Sequence, residues 1–247
     1  MNKHHLFNDQ AEVYAQARPD YPAAVFDYLE GVCNKRMVAW DCACGNGQAA
    51  LSLVNSFEFV HATDISEEQI KNAKLHPRVE YSVSPSEHSG LQANSVDLIC
   101  VAQALHWFDY DDFWPEVDRV LKPGGVFAAL GYNFPKVDPI IDSIIQRELL
   151  DVIEPYWATE NKLIWNSYRD ITFPYGQLEV PQFDMKMTCS LGAFFSFLRT
   201  FSATRRCMDD QGDDFFHSAY DSAKEVWGAS ELVKHVSLDF VFKACIK

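Results

Sequence analysis

The stretch Met37-Val38-Ala39-Trp40-Asp41-Cys42-Ala43-Cys44-Gly45-Asn46-Gly47-Gln48 decides the fold. An apolar run ends at an acid and a glycine turn, and from about Gln48 to Phe57 the residues Ala49, Ala50, Leu53 and Val54 share one helical face. Strand, tight turn and helix N-terminus bring backbone N–H groups and a helix dipole to one point, and glycine lets a ligand approach closely. Outward from this unit, short β-rich runs alternate with helical stretches, the pattern of a parallel sheet with crossover helices. Strands are predicted at Phe59–Thr63, Val79–Val83, Val96–Val101 and Val126–Leu130. Ser66 is placed to cap a helix carrying Glu67 and Glu68 in its first turn. A helix over Tyr110–Leu121 is expected to stop at Lys122-Pro123-Gly124-Gly125.

After Tyr132 the character changes. Residues 133–180 hold several prolines and aromatics and one clear helical stretch around Ile140–Ile153. The β pattern returns at Phe183–Cys189 and Val236–Ala244, with helices near Leu191–Thr200 and Asp213–Val226 between them. The chain reads as a single domain over 1–247. It comprises a lid segment (1–36), a cofactor-binding core (37–132), a cap insertion (133–180) and the carboxyl-terminal part of the sheet (181–247).

Twenty-one Lys and Arg against 35 Asp and Glu leave a net charge of -14 over 247 residues. Such a chain is repelled by phosphate backbones and anionic headgroups, so neither nucleic acid nor a membrane is expected as partner. No apolar run approaches a membrane span, and Met1-Asn2-Lys3-His4-His5 opens no secretory signal, so a cytoplasmic location is expected. The seven cysteines form no C-x-x-C pair; they read as reduced, mostly buried thiols, and no metal site is expected. The sequence says nothing of oligomeric state.

Asp64 lies nineteen positions after Gly45 and should end the neighbouring strand, where a carboxylate can accept both hydroxyls of a ribose. An adenosine cofactor is the ligand this geometry specifies. Gly45-x-Gly47-x-x-Ala50 also satisfies the looser dinucleotide fingerprint, which leaves an NAD-dependent oxidoreductase open. Asp41 weighs against it, because a carboxylate just before the turn would repel a pyrophosphate. The same carboxylate suits the ammonium of S-adenosylmethionine. A non-catalytic, cofactor-binding regulatory protein is the third reading.

Taken together, these segments resemble class I S-adenosylmethionine-dependent methyltransferases across nearly the whole chain. The family's acid-x-G-x-G-x-G motif maps onto Asp41, Ala43, Gly45 and Gly47, with Ala43 departing from the usual first glycine. Asp64-Ile65-Ser66 matches the acid ending the second strand, and Leu121-Lys122-Pro123-Gly124-Gly125 resembles the approach to the fifth. Tyr14-Ala15-Gln16-Ala17-Arg18-Pro19-Asp20-Tyr21-Pro22, Ala104-Leu105-His106-Trp107 and Phe197-Leu198-Arg199-Thr200-Phe201-Ser202-Ala203 look like a small-molecule subgroup that includes trans-aconitate methyltransferase-like enzymes. The resemblance implies a Rossmann-like, mostly parallel seven-stranded sheet in the order 3-2-1-4-5-7-6, its last strand antiparallel, with helices on both faces and a cap. It also implies S-adenosylmethionine as cofactor and a small-molecule acceptor, methylated at a carboxylate or hydroxyl oxygen.

Residue roles follow on that basis. Tyr14 and Arg18, one helical turn apart, face the cofactor from the lid, with Arg18 near the methionine carboxylate. Ser86 and Glu87 resemble the position that meets the adenine. Gln103, His106 and Trp107 follow the fourth strand, where the reacting methyl group would lie. His106 is either a general base or a pocket-shaping imidazole, and Trp107 is a wall. Arg199, with Arg205 and Arg206, could clamp an acceptor carboxylate; a solvated face explains them as well.

Overall fold

Val38–Cys42 becomes β1 because four of its five residues must be buried, and a parallel sheet flanked by helices on both faces supplies that environment. The computed structural model describes residues 18–229 and 231–247. Parallel to β1 lie β2 (Phe59–Asp64) on one side and β4 (Val96–Ala102) on the other. β3 (Val79–Val83) adds beyond β2, and β5 (Leu121–Lys136) beyond β4, both parallel. The last strand, β8 (Lys234–Ile246), runs antiparallel to β5. Along its other edge it pairs with β6 (Gly176–Gln177) and β7 (Met185–Cys189). This is the expected order and direction with one addition: a two-residue β6 makes the last strand the eighth.

The strands differ from the sequence reading mainly at β5. Pairing with β8 extends it to Lys136, well past the Leu130 end expected. The preceding helix stops at Val120, within one residue of the expected end, and the Lys122-Pro123-Gly124-Gly125 segment itself belongs to β5. It bulges out of the β4–β5 ladder between the Val96–Leu121 and Leu98–Val126 pairs, and Gly124 there has φ +75°. At the opposite end of β1, Asp97 of β4 accepts hydrogen bonds from the Met37 and Val38 amides, both at 3.0 Å, and an ion pair from Lys122 at 2.7 Å.

Alternating strand residues face two cores. On one side, Ala39, Val60, Leu98 and Val126 meet α1 (Ala23–Val32) and α2 (Gln48–Leu53). The short α3 (Glu67–Lys71) follows β2, capped by the Ser66 hydroxyl as expected. On the other side, Trp40, Ile99 and Phe127 meet α4 (Tyr110–Val120), together with Ile164, Tyr168 and Ile171. A third cluster sits where α5 (Pro139–Ile145) runs through a π-helical turn, Gln146–Leu150, into α6 (Asp151–Ile153). There Ile141, Ile145, Leu149 and Ile153 pack with α8 (Leu191–Arg199), α9 (Ser202–Gln211) and α10 (Asp214–Trp227) against β7 and β8. Residues 133–180 therefore share a core with residues beyond 180, while α7 (Asn161–Trp165) leans on β4 and β5. The sequence reading has no counterpart of α9, because among its ten residues only Ala203, Thr204 and Cys207 are buried and the apolar stripe is thin.

Gly131 of β5 marks the tightest crossing. A Cβ there would stand 2.4 Å from Gln103 Oε1 and 2.6 Å from Ile164 Cδ1. Gly131→Ala is expected to lower unfolding stability by about 1–3 kcal/mol, the range for overpacking. Gly192→Ala, in α8 with nothing within 4 Å of the added carbon, should instead raise it by about 0.5–1 kcal/mol. Urea denaturation of the two variants checks the contrast.

Candidate functional site

The sheet reverses its winding at β1: β2 and β3 lie on one side, β4 and β5 on the other. Beyond the carboxyl ends of strands at such a point a crevice opens. Here it holds a cavity of about 480 Å³, within the range of small-molecule sites. Its floor is Ala43, Cys44, Gly45 and Asn46, the turn after β1; Asp64 and Ile65 come from the end of β2, and Ser86 and Glu87 from the loop after β3. Gln103, Trp107 and Phe108 follow β4, Tyr132 belongs to β5, and Arg18 and Tyr21 precede α1.

The turn is held from β2. The Cys44 amide donates to Thr63 O at 2.9 Å, and the Gly45 amide to Asp64 Oδ2 at 2.8 Å. Asp64 Oδ1 accepts from the Ser66 amide, also at 2.8 Å. Each carboxylate oxygen keeps a second lone pair for a ligand, since a carboxylate offers about four acceptor sites. Burial pushes the Asp64 carboxyl up, and the Ser66, Gly45 and Ile65 amides pull against it. Three turn residues are left-handed: Ala43 (φ +55°), Gly45 (+55°) and Gly47 (+87°). Only the alanine pays a Cβ penalty, of about 1–2 kcal/mol. Gly47 does not line the cavity; it lies against Tyr81, where a Cβ would be 2.1 Å from the phenol oxygen.

Asp41 occupies a different place from the direct ligand contact expected. It is fully buried on the α2 side of β1 and does not line the cavity. Among the described residues neither carboxylate oxygen has a partner at hydrogen-bond geometry. Burial pushes the group up to about 8, with the Ala50 amide lowering it and Asp64 raising it further. A carboxylate left this way beneath the turn fits a cation arriving above it, so the residues present suit a ligand that carries an ammonium.

Around the rest of the cavity, Gln103 (φ +58°) is a strut: its Nε2 donates to Tyr132 O and its Oε1 accepts from Tyr132 N, each at 2.9 Å. Arg18 Nη1 donates to the Tyr132 hydroxyl at 2.7 Å, and its guanidinium lies over the Tyr132 and Phe197 rings. Tyr14 falls outside the described residues. A second cavity of about 80 Å³ adjoins the first and shares Arg18, Gln103, Trp107 and Tyr132 with it. His106, Asn161, Trp157, Trp165, Phe201 and Arg205 are among its walls.

His106 belongs to this smaller cavity, its Nδ1 3.2 Å from the Tyr168 hydroxyl; burial pushes the imidazole down to about 3, against a rise from Glu160. A general base works best with a pKa near the working pH, and His106 lies well below it while forming part of the cavity wall. Arg199 is a correction. It sits on the surface of α8, half-exposed, 3.5 Å from Asp213 and over the Phe216 ring, and lines neither cavity. Arg205 on α9 is the arginine that reaches the smaller cavity, because α9 turns that face of the chain inward. Tyr132, not singled out from sequence, had one available signal: it stands at the carboxyl end of a parallel strand, where ligand residues gather.

Because folded Asp41 binds its proton up to about pH 8, the native state holds more protons than the unfolded chain from about pH 4 upward. Its contribution to stability is thus complete at low pH and lost as pH rises through 8. Asp41→Asn does not titrate at this position. The ligand-free wild type is expected to lose stability between about pH 4 and 8 relative to Asp41→Asn, measured by thermal denaturation at each pH. Parallel pH profiles would show that Asp41 is not a buried, titrating acid.

Residues 40–129 match a family described as a methyltransferase domain. A type II methyltransferase structure from Anaeromyxobacter dehalogenans is 39% identical, with a TM-score of 0.86 over 93% of this chain and 97% of that one. A methyltransferase-named protein of Dictyostelium discoideum is 34% identical over 169 residues, 67% of this chain and 64% of that protein. Another, of Mycobacterium tuberculosis, is 34% identical over 120 residues, 48% of this chain and 49% of that one. The matches thus span about half to two-thirds of these curated relatives. With a matching fold over nearly its full length and an acid–glycine turn at the switch point, the chain belongs to the class I S-adenosylmethionine-dependent methyltransferases.

Proposed function

We propose that the chain methylates an oxygen of a small molecule bound in the smaller cavity, and that this oxygen belongs to a carboxylate. The observation that carries the reading is the junction of the two cavities, which share Arg18, Gln103, Trp107 and Tyr132 as a common wall. When bound, S-adenosylmethionine supplies an electrophilic methyl group on a sulfonium, displaced in line by the acceptor.

In this reading the chain's residues bind, orient and exclude water. Asp64 holds the ribose hydroxyls on its remaining lone pairs, and Asp41, giving up its proton to solvent as the ammonium arrives, supplies negative charge beneath it. Ser86 and Glu87 meet the adenine, and Arg18 meets a carboxylate at the junction. Trp107, Trp157, Trp165 and Phe201 give the acceptor side an apolar, water-poor wall, which favours a reaction that disperses charge. Arg205 brings positive charge to that wall. A carboxylate is already a nucleophile at neutral pH, whereas a hydroxyl would need a base, and the depressed His106 is a poor one. The preference for carboxylate over hydroxyl follows. A cavity this small does not admit a nucleic acid or protein side chain with its backbone, and the net charge of -14 agrees with a small-molecule acceptor in the cytoplasm.

Among the described residues no helix is long and apolar enough to cross a membrane. Two measurements test the reading. Asp64→Ala should weaken S-adenosylmethionine binding about ten- to a hundredfold by calorimetry, the loss of hydrogen bonds to a charged group. Incubation with methyl-labelled cofactor and a fractionated metabolite extract should label a methyl ester, released again by mild alkali. Label in alkali-stable ethers or amines would replace the carboxylate assignment.

A further inference from the structure

Tyr168 is buried and carries no role in the proposed chemistry, yet its backbone is unusual. At the end of α7, the Ser167 amide donates to Ile164 O and the Tyr168 amide to Leu163 O, both at 2.8 Å, which closes the helix. Such a closure places one residue in the left-handed region, where glycine is preferred. Here two consecutive non-glycine residues occupy it, Ser167 (φ +55°) and Tyr168 (φ +56°). Strain of this kind, of order 1–3 kcal/mol per residue, persists where the surroundings demand it. What it achieves is the position of one hydroxyl: Tyr168, only 1% exposed, sets its phenol oxygen 3.2 Å from His106 Nδ1 with the two rings nearly parallel.

The direction of that hydrogen bond follows from satisfying buried groups. Among the described residues the contact with His106 is the only hydrogen bond of the Tyr168 hydroxyl. If Nδ1–H donated, the phenol proton would be buried with no acceptor, which costs more than leaving a phenol lone pair unused. The hydroxyl therefore donates to Nδ1. Burial keeps the phenol protonated and the imidazole neutral, which agrees with this arrangement. A neutral imidazole that accepts at Nδ1 carries its proton at Nε2. His106 also lines the smaller cavity, so Nε2–H is the ring group left for a ligand.

We propose that Tyr168 is a positioning residue that locks His106 in the Nε2–H tautomer, and that His106 thereby donates a hydrogen bond to a lone-pair-bearing oxygen of the acceptor. This rests on the smaller cavity being the acceptor site. For a carboxylate, the recognised atom is the oxygen that does not react. The consequence is selection: a fixed donor accepts a carboxylate or carbonyl oxygen and opposes an ammonium or other donor at the same point, where two hydrogens would meet.

The test has a part that needs no acceptor. With uniformly nitrogen-labelled histidine in the full chain, His106 should show one neutral tautomer protonated at Nε2, unchanged down to about pH 5. An Nδ1–H tautomer, or titration near the ordinary histidine value, overturns the proposal. Tyr168→Phe should move the Nδ1 resonance toward that of an unbonded nitrogen; no movement overturns it too. The second part reads methyl-ester formation in the labelled extract. His106→Gln keeps an N–H near the Nε2 position but cannot take a proton, so it should retain label within about tenfold of wild type. His106→Leu should fall about a hundredfold, the scale of a lost hydrogen bond to a charged group. If His106→Gln is as inactive as His106→Leu, His106 is a base and the proposal fails. Cofactor binding, measured separately by calorimetry, reports on the methyltransferase site itself, so a protein that binds S-adenosylmethionine yet shows the Nδ1–H tautomer refutes this inference alone.

Discussion

One carboxylate holds the cofactor side of the molecule together. Asp64 accepts the Gly45 amide on one oxygen and the Ser66 amide on the other, each at 2.8 Å. It thereby ties the turn after β1 to the end of β2 and the start of α3. Hydrogen bonds to an ionised acceptor are short and strong, and here both donors are backbone groups that cannot rotate away. The conformation of Ala43, Gly45 and Gly47 is set by this attachment, together with the Cys44 amide on Thr63 O. A ribose placed on the same carboxylate would be located relative to the turn without any further adjustment.

The same region concentrates features that oppose folding. Asp41 is buried with neither oxygen hydrogen-bonded among the described residues, and Ala43 and Gln103 hold left-handed backbones without being glycines. Each is unfavourable in the ligand-free protein, and each lies within or beneath the cavity. The surrounding sheet, with β1 and β4 buried on both faces, over-determines their positions. Near neutral pH the ligand-free Asp41 holds its proton, and an ammonium arriving above it would favour loss of that proton to solvent and the charged form.

Tyr132 divides the two cavities because it is held at both ends. Gln103 clamps its backbone by paired hydrogen bonds, and Arg18 holds its hydroxyl. Gly131 makes this possible, since any side chain there would displace Gln103. The acceptor side is then completed by elements distant in the chain: α7, the Trp157 segment and α9. These belong to or adjoin the third core, where the helices after β5 pack on β7 and β8.

The strand–turn–helix unit at 37–57 and the Ser66 cap were legible in the sequence because each rests on local patterning, and the strand order came with the family that those motifs resemble. Apolar runs, glycine positions and capping residues act over a few residues and mean the same thing wherever they occur. The residues brought to the larger cavity, Ala43, Gly45, Asp64, Ile65, Ser86, Glu87 and Gln103, were legible for a related reason: they end or follow strands whose register the sheet imposes. What only the tertiary structure decided depends on direction and burial. Whether Asp41 touches a ligand or lies beneath it, whether Arg199 or Arg205 reaches the acceptor cavity, and whether His106 can hold a proton are set by which face of an element is covered. His106, for one, is covered by Tyr168, 62 residues further along the chain, and no local pattern encodes a neighbour that arrives only when the chain has packed.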